Sequence, residues 1–571
     1  MKRIKTFFLD VVMIILIFVI LFMFFIKSYY GFFDSTYLNI FSNNLEEGFF
    51  KEGLYYIFPK FLFILFCYLS LRYIIFKLKI TLDIKVFKKR INLNSVLLKV
   101  KWFLLLIFIL LGIFLISNNL NILNYNNYKS VGLKVSKESN NLVYFDDVVI
   151  FSEPTSIIEV NIDTLGNELP TSKSAGDLPV ILSLTIEGTT LKTFGEIKVQ
   201  GSSTAYWPKK NWSLKFYADA KREEKLRLKI GDSIASDKWI AKAEWIDPTM
   251  LRNALSYNLW GSMVKSRKTF PKYEVDNAWI GNNNMQKGLQ TEAQGFPKAH
   301  PIHVKVNDEH YGLSMLLLGH DPLNFNIDKN NPKHIYMEFD ARGGYTLVKT
   351  WEKFSAEGVG KWIDGYYPSN EDFTYEQLLA IDRLGKFING SLDNFKANFS
   401  KYLDKTNMID MLLFLEVIYD WDAVAQDIEM VTYDLEKWYM LPWDKDTTFG
   451  MYFDGSGIME ETENKLLINY EEEKLTQKPW YKTYHTFKPD IEQRYAELRN
   501  DDIFTVNNLS RLAEGIIKKI PTELWKIEKN KWKEYKRPSY DDTSTYQVIS
   551  WFEERLKVLD KHFDYHKKLN K

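Results

Sequence analysis

Five aspartates crowd the two ends of one short apolar ribbon, DWDAVAQDIEMVTYDLEKWYMLPWDKDTTFG over 420–450. They are Asp420, Asp422, Asp427, Asp444 and Asp446. Asp434-Leu435-Glu436-Lys437 reads as a turn between two strands, Met430 to Tyr433 and Trp438 to Leu441. A hairpin is antiparallel, with its strands about 5 Å apart, so residues before the first strand lie beside residues after the second. Asp422 and Asp427 are thereby expected near Asp444 and Asp446. Carboxylates gathered in this way repel unless a positive charge sits among them. A divalent cation with oxygen ligands, Mg²⁺ or Mn²⁺, is the economical partner. The plain alternative is a wet loop that binds nothing.

A second segment, KVQGSSTAYWPKKNWSLKFY over 198–217, carries complementary chemistry. Gly201, Ser202, Ser203 and Thr204 form a loop between two strand patterns, able to turn backbone N–H groups and hydroxyls toward an anion. Trp212, Leu214 and Phe216 alternate with Ser213, Lys215 and Tyr217, which defines a strand with one apolar face. Lys209, Lys210 and Lys215 follow the loop closely enough to meet phosphates. A surface hairpin with solvated lysines is the bland reading of the same residues.

These segments need a body to position them. From Asn141 to Gln200 short alternating runs such as VILSLTIEG and TFGEIKVQG predict strands. After residue 375, YEQLLAIDRLGKFI and NMIDMLLFLEVIYD predict helices. Strands first and helices later give an α+β domain over 140–571, sheet-rich over about 140–320 and helix-rich over about 321–571. A polar, Asn-rich linker occupies 121–139.

Residues 1–120 differ in character. Apolar runs at about 7–26, 54–76 and 102–120 each approach the ~20 residues that cross a bilayer, so three spanning helices are expected. A cleaved signal peptide is the alternative for the first run, but no small-residue cleavage site follows it. Lys2, Arg3 and Lys5, and the lysine-rich loop from Lys77 to Lys101, place the start and the second loop inside. With three spans, the large domain lies outside the cytoplasm. If the second run fails to span, the domain flips inside. The formal charge of the 571-residue chain is +1, and no long basic run occurs beyond the first hundred residues. Nucleic acid is therefore not an expected partner. Cys67 is the single cysteine, which excludes an intramolecular disulfide and a cysteine-based zinc site.

Taken in order, the segments resemble the spore coat protein H (CotH) family of atypical kinases. GSST…PKKNWSLKF, KWIAKAEWIDPTMLRNALSYNL (238–259), VKVNDEHYGLSMLLL (304–318), LPWDKDTTFG (441–450) and RYAELRNDDIFT (494–505) are similar to its hallmarks. The resemblance spans roughly 140–560 and implies a two-lobed, protein-kinase-like fold. It implies transfer of the γ-phosphate of ATP to protein Ser or Thr with Mg²⁺ or Mn²⁺. Asp422 takes the catalytic position, joined by Asp427. Asp444 takes the metal position, with Asp446 as the alternative and Asp427 as a further oxygen ligand. Lys209 and Lys215 would steady phosphates. Asp247 and Arg252 are expected to form a structural ion pair. The chain departs from the pattern at Asp427, where Asn is usual, at Leu318, where an acid is usual, and at Asn307-Asp308, where Asn-Gly is usual. A second function class stays open, a catalytically reduced module tethered to the membrane that binds an envelope or spore-coat protein.

Overall fold

Period-two burial is what the strands of the first half were expected to show, and in the computed structural model it closes them into a barrel. The structure describes residues 143–145, 147–201, 203–267, 295–325, 327–340, 350–452, 454–459, 462–535 and 544–565. They belong to one compact unit, Val131–Gly343 with Val348–Lys571. The expected membrane runs and the linker lie outside the described residues. Among the described residues no helix is long and apolar enough to cross a membrane.

The barrel contains β3 (Ile158–Asp163), β4 (Leu178–Ile186), β5 (Thr189–Gln200), β6 (Asn211–Tyr217), β8 (Lys238–Lys242), β9 (Ala299–Val306) and β10 (Glu309–Leu318). Its order is β10-β8-β6-β5-β4-β3-β9. Every neighbouring pair is antiparallel except β3 with β9. Val160, Ile162, Leu182, Ile197, Leu214, Trp239 and Leu316 fill it. On β6, Trp212, Leu214 and Phe216 are buried and Lys215 is half-buried, as the alternation requires. Asn307 and Asp308 make the two-residue turn from β9 to β10 with φ of 51° and 68°. Two positive φ values are what such a turn demands, and Asn and Asp tolerate them best after Gly. A smaller sheet, β1 (Val143–Phe145), β2 (Val148–Phe151) and β7 (Arg227–Ile230), completes this half.

The second half carries, besides its helices, more strands than the expected hairpin. It holds a four-stranded antiparallel sheet of order β12-β11-β13-β14, with β11 Ile335–Phe339, β12 Ile363–Tyr367, β13 Ile428–Thr432 and β14 Trp438–Pro442. The anticipated hairpin is β13–β14. Its first strand starts at Ile428, two residues earlier than expected, because β13 pairs over that whole length with β11 on its other side.

The helices are α1 (Arg252–Lys265), α2 (Tyr375–Asn389), α3 (Leu392–Tyr402), α4 (Lys405–Ile418), α5 (Lys478–Asn500), α6 (Val506–Ile517), α7 (Thr522–Lys531) and α8 (Thr545–His562). Thr374 and Gln377 close a capping box on α2, and Asp404 caps α4 through Asn407 N–H. From Asn407 onward every residue of α4 is buried. A helix apolar on all sides belongs at the centre of a domain, and α5, α8 and β14 pack around this one. Its two deep charges are both paired, Asp410 with Arg267 and with Arg494 of α5, and Glu416 with Arg555 of α8.

Candidate active site

The loop that follows α4 is aimed by one residue. Tyr419 ends the helix in the left-handed region, φ 51°, and turns the chain toward the mouth of the β13–β14 hairpin. Asp420 is fully buried and meets Lys445 Nζ at 2.7 Å, so it ties the two ends of the ribbon together. Asp422, 5% exposed, accepts a hydrogen bond from Thr447 Oγ1 at 3.0 Å. The ladder ends where Ile428 pairs with Pro442. Beyond it, Asp422 and Asp444 lie close enough to Asp446 for their charges to act on it, while the charge of Asp427 acts on Glu338. Asp427 and Asp444 both carry positive φ, 50° and 46°. Non-glycine residues held there collect at functional sites.

The positive charge that meets Asp444 and Asp446 is Lys242, at the end of β8 in the barrel. Its ammonium bonds Asp444 Oδ1 and lies 3.4 Å from Asp446 Oδ2. Burial alone would depress this lysine, but Asp444, Asp446 and Glu244 outweigh it and hold the ammonium charged well above its usual range. The same crowding acts on the acids. Burial first, and then the Asp444 charge, push Asp446 up to about 7 against the pull of Lys242. Burial pushes Glu244 up to about 8, with Lys242 opposing and Asp446 adding to the rise.

Helix α1 supports the cluster from behind. Asn253 Nδ2 donates to both oxygens of Glu244 at 3.1 and 3.0 Å, and Asn253 Oδ1 accepts from Lys445 N at 2.7 Å. Tyr257 Oη accepts from Asp444 N at 3.1 Å. Asp247 and Arg252 form a fully buried pair at 2.6 Å. Arg252 also reaches Thr448 O at 2.9 Å and Gln547 of α8 at 2.8 Å. That pair is structural, as expected, and it fastens the 444–448 segment to two helices.

The donors suit a hard divalent cation in type. Asp422, Asp444 and Asp446 offer carboxylate oxygens. Gln426, fully buried, has an Oε1 with no hydrogen-bond partner while its Nε2 donates to Asp427 Oδ2 at 2.8 Å. Among the described residues no three His, Cys, Asp or Glu side chains close into a metal cage. Mg²⁺ is commonly held by one or two carboxylates with phosphate oxygens and water completing the shell, and this set fits that pattern.

The glycine-serine loop follows β5 at Gln200, whose partner Asn211 lies next to the Trp212–Ala241 rung, but its lysines are engaged by protein groups. Gly201 has φ +100°, and a Cβ there would meet Thr204 Oγ1 at 1.8 Å, so only glycine fits. Ser202 lies outside the described residues, and Ser203 begins a 3-10 turn, Ser203–Tyr206. Lys209 is 1% exposed and pairs with Glu528 at 2.7 Å. Lys210 Nζ donates to Ala205 O at 2.9 Å. Lys215 bonds Asp177 at 3.0 Å and Glu196 at 3.3 Å. Lys215 faces Lys238 across the β6–β8 ladder, and four residues of strand, about 13 Å, separate Lys238 from Lys242. The ammonium beside the acids is thus Lys242, which sequence reasoning passed over. Its signal was available in WIAKAEW, where a Lys and a Glu interrupt an otherwise apolar strand, since charged residues are rarely buried without a partner.

At Leu318, buried in the barrel core, β10 ends, and Gly319 and His320 lead toward the second sheet. His320 stacks on Tyr366 at 3.8 Å, touches Trp443 at 3.9 Å and bonds Glu429 Oε1 at 2.9 Å. An aromatic wall therefore adjoins Asp444.

A family model described as CotH kinase protein matches residues 197–559, from the Gly201 loop to α8 and more than half of the chain. A comparison with curated proteins finds no match.

Proposed function

The chain belongs to the CotH kinase family, and on that premise we propose that it is a membrane-anchored kinase. It would move the γ-phosphate of ATP to a Ser or Thr hydroxyl of a protein acceptor, with Mg²⁺ or Mn²⁺. The observation that carries this reading is the placement of Lys242 between Asp444 and Asp446, with the charge of Asp422 close enough to act on Asp446. Phosphoryl transfer needs positioned cations for the phosphate oxygens and one carboxylate for the acceptor proton. Lys242 would release its carboxylates to meet phosphate. Asp422, held by Thr447, would accept the proton of the acceptor hydroxyl. Asp444 and Asp446, with Gln426 Oε1 and Asp427 at hand, would hold the metal, which supplies neutralisation of phosphate charge when bound. The apolar runs at about 7–26, 54–76 and 102–120 support anchoring, and the lysine bias of the short loops supports a domain outside the cytoplasm.

The test is the melting temperature of the full-length protein with Mg²⁺ or Mn²⁺, with and without ATP. A ligand at a hundred times its dissociation constant adds about 2.7 kcal/mol to the folded state. A rise that needs metal and nucleotide together is expected. A melting curve unmoved by either metal with ATP would overturn the kinase reading and leave the tethered module.

A further inference from the structure

Lys209 is placed too deep to touch a ligand, yet its partners connect it to the site. Its ammonium donates to Ala243 O at 3.0 Å and to Leu313 O, and Glu528 of α7 neutralises it at 2.7 Å. Glu528 is the buried residue of α7, and its other oxygen accepts from Leu313 N at 2.8 Å. Ala243 directly follows Lys242, past the last ladder pair of β8. Both of its peptide groups are held by side chains, its C=O by Lys209 and its N–H by Asn211 Oδ1 at 2.7 Å. Asn211 Nδ2 in turn donates to Thr204 Oγ1 at 3.1 Å, in the turn that follows Gly201. The next residue, Glu244, stands at φ 49°.

We propose that Lys209, with its counter-ion Glu528, and Asn211 are positioning residues that aim Lys242 by clamping the Ala243 peptide. This rests on the reading that Lys242 receives phosphate. A lysine tip lies several bonds from its backbone, so a small rotation at Ala243 carries the ammonium away from where phosphate oxygens would sit. Misplacement by about 1 Å can weaken function on the order of a hundredfold. The double-lysine and asparagine segment thus acts one residue removed from the ligand. Helix α7, far along the chain, becomes part of the phosphate site's support.

The test is a mutant cycle in the full-length protein, read as the dissociation constant of Mg²⁺·ADP together with the melting temperature. Lys209→Met with Glu528→Gln removes the C=O arm of the clamp and leaves no uncompensated charge, while the amide oxygen introduced by Glu528→Gln still accepts from Leu313 N–H. Binding is expected to weaken about tenfold or more, and to weaken no further when the pair is added to Lys242→Met. Binding equal to the parent, in a protein where Lys242→Met does weaken it, overturns the positioning role alone. A full additional loss on top of Lys242→Met also overturns it, because the clamp would then act independently of Lys242. Parental binding by Lys242→Met itself overturns the phosphate reading and this proposal with it. If the double variant does not fold, Asn211→Ala frees the Ala243 N–H without touching the buried ion pair and is judged by the same outcomes.

Discussion

Asp446→Asn should make the protein more stable above neutral pH while removing a ligand from the proposed site. The native carboxyl of Asp446 sits at about 7, and its ordinary value is 3.8. The folded protein therefore holds a proton that the unfolded chain gives up. The stability this contributes is fully present below about pH 4 and is lost as pH rises through about 7. Each pH unit of that gap corresponds to about 1.4 kcal/mol, so ionised Asp446 costs the fold up to about 4 kcal/mol. Asparagine carries no charge at any pH, and the value of about 7 already includes the pull of Lys242 at 3.4 Å. The gain should be up to about 4 kcal/mol at pH 8.5 and smaller, about 1.5 kcal/mol, at pH 5. For a domain of this size that is a rise of several degrees. The assay is the difference in melting temperature between variant and parent at the two pH values. Mg²⁺ with ATP should narrow the difference at pH 8.5, by stabilising the parent more than the variant. Equal destabilisation at both pH values would show that Asp446 is simply an ionised structural partner of Lys242, and would refute the reasoning.

Other consequences are as direct. Arg555→Met should destabilise the fold by about 3–5 kcal/mol, because Glu416 would stay buried with its charge unpaired among Leu467 N, Ile468 N and Tyr470 Oη. Adding Glu416→Gln should recover part of that loss, and thermal melting of both variants checks it. In a Cys67-free background, a cysteine near Lys88 should resist an impermeant thiol reagent in intact cells and one near Asn140 should react. The opposite labelling would place the domain in the cytoplasm.

The hairpin was legible because its information is local. Two short apolar runs mark β13 and β14, the turn residues fix their order, and antiparallel geometry alone sets the end of the loop before β13 beside the start of the segment after β14. Its first boundary was missed because the pairing with β11 comes from a strand far back in the chain, over Ile335–Phe339. β6 was legible for the same local reason, and Lys215 does lie off its apolar face. What could not be read was register. Only the β6–β8 ladder reveals that Lys215 stands at the far end of β8 from Lys242. Lys242 escaped notice because β8 is buried on both sides from Trp239 onward, which removes the alternation that tells a facing residue from a core one. Its carboxylate partner lies 202 residues away in sequence. Glu528 is more remote still, 319 residues from Lys209. A short helix with one buried acid gives no sign of the cation it neutralises. The four-stranded sheet was hidden because β11 and β12 are five residues each and lie among loops.

Phosphate transfer through Asp422 is tested with the full-length protein, ATP labelled at the γ-phosphate and either Mg²⁺ or Mn²⁺. Metal-dependent label on protein Ser or Thr is expected, with its loss in Asp422→Asn and the melting temperature of that variant unchanged. No label from the parent protein with either metal, or equal label from Asp422→Asn, would contradict it.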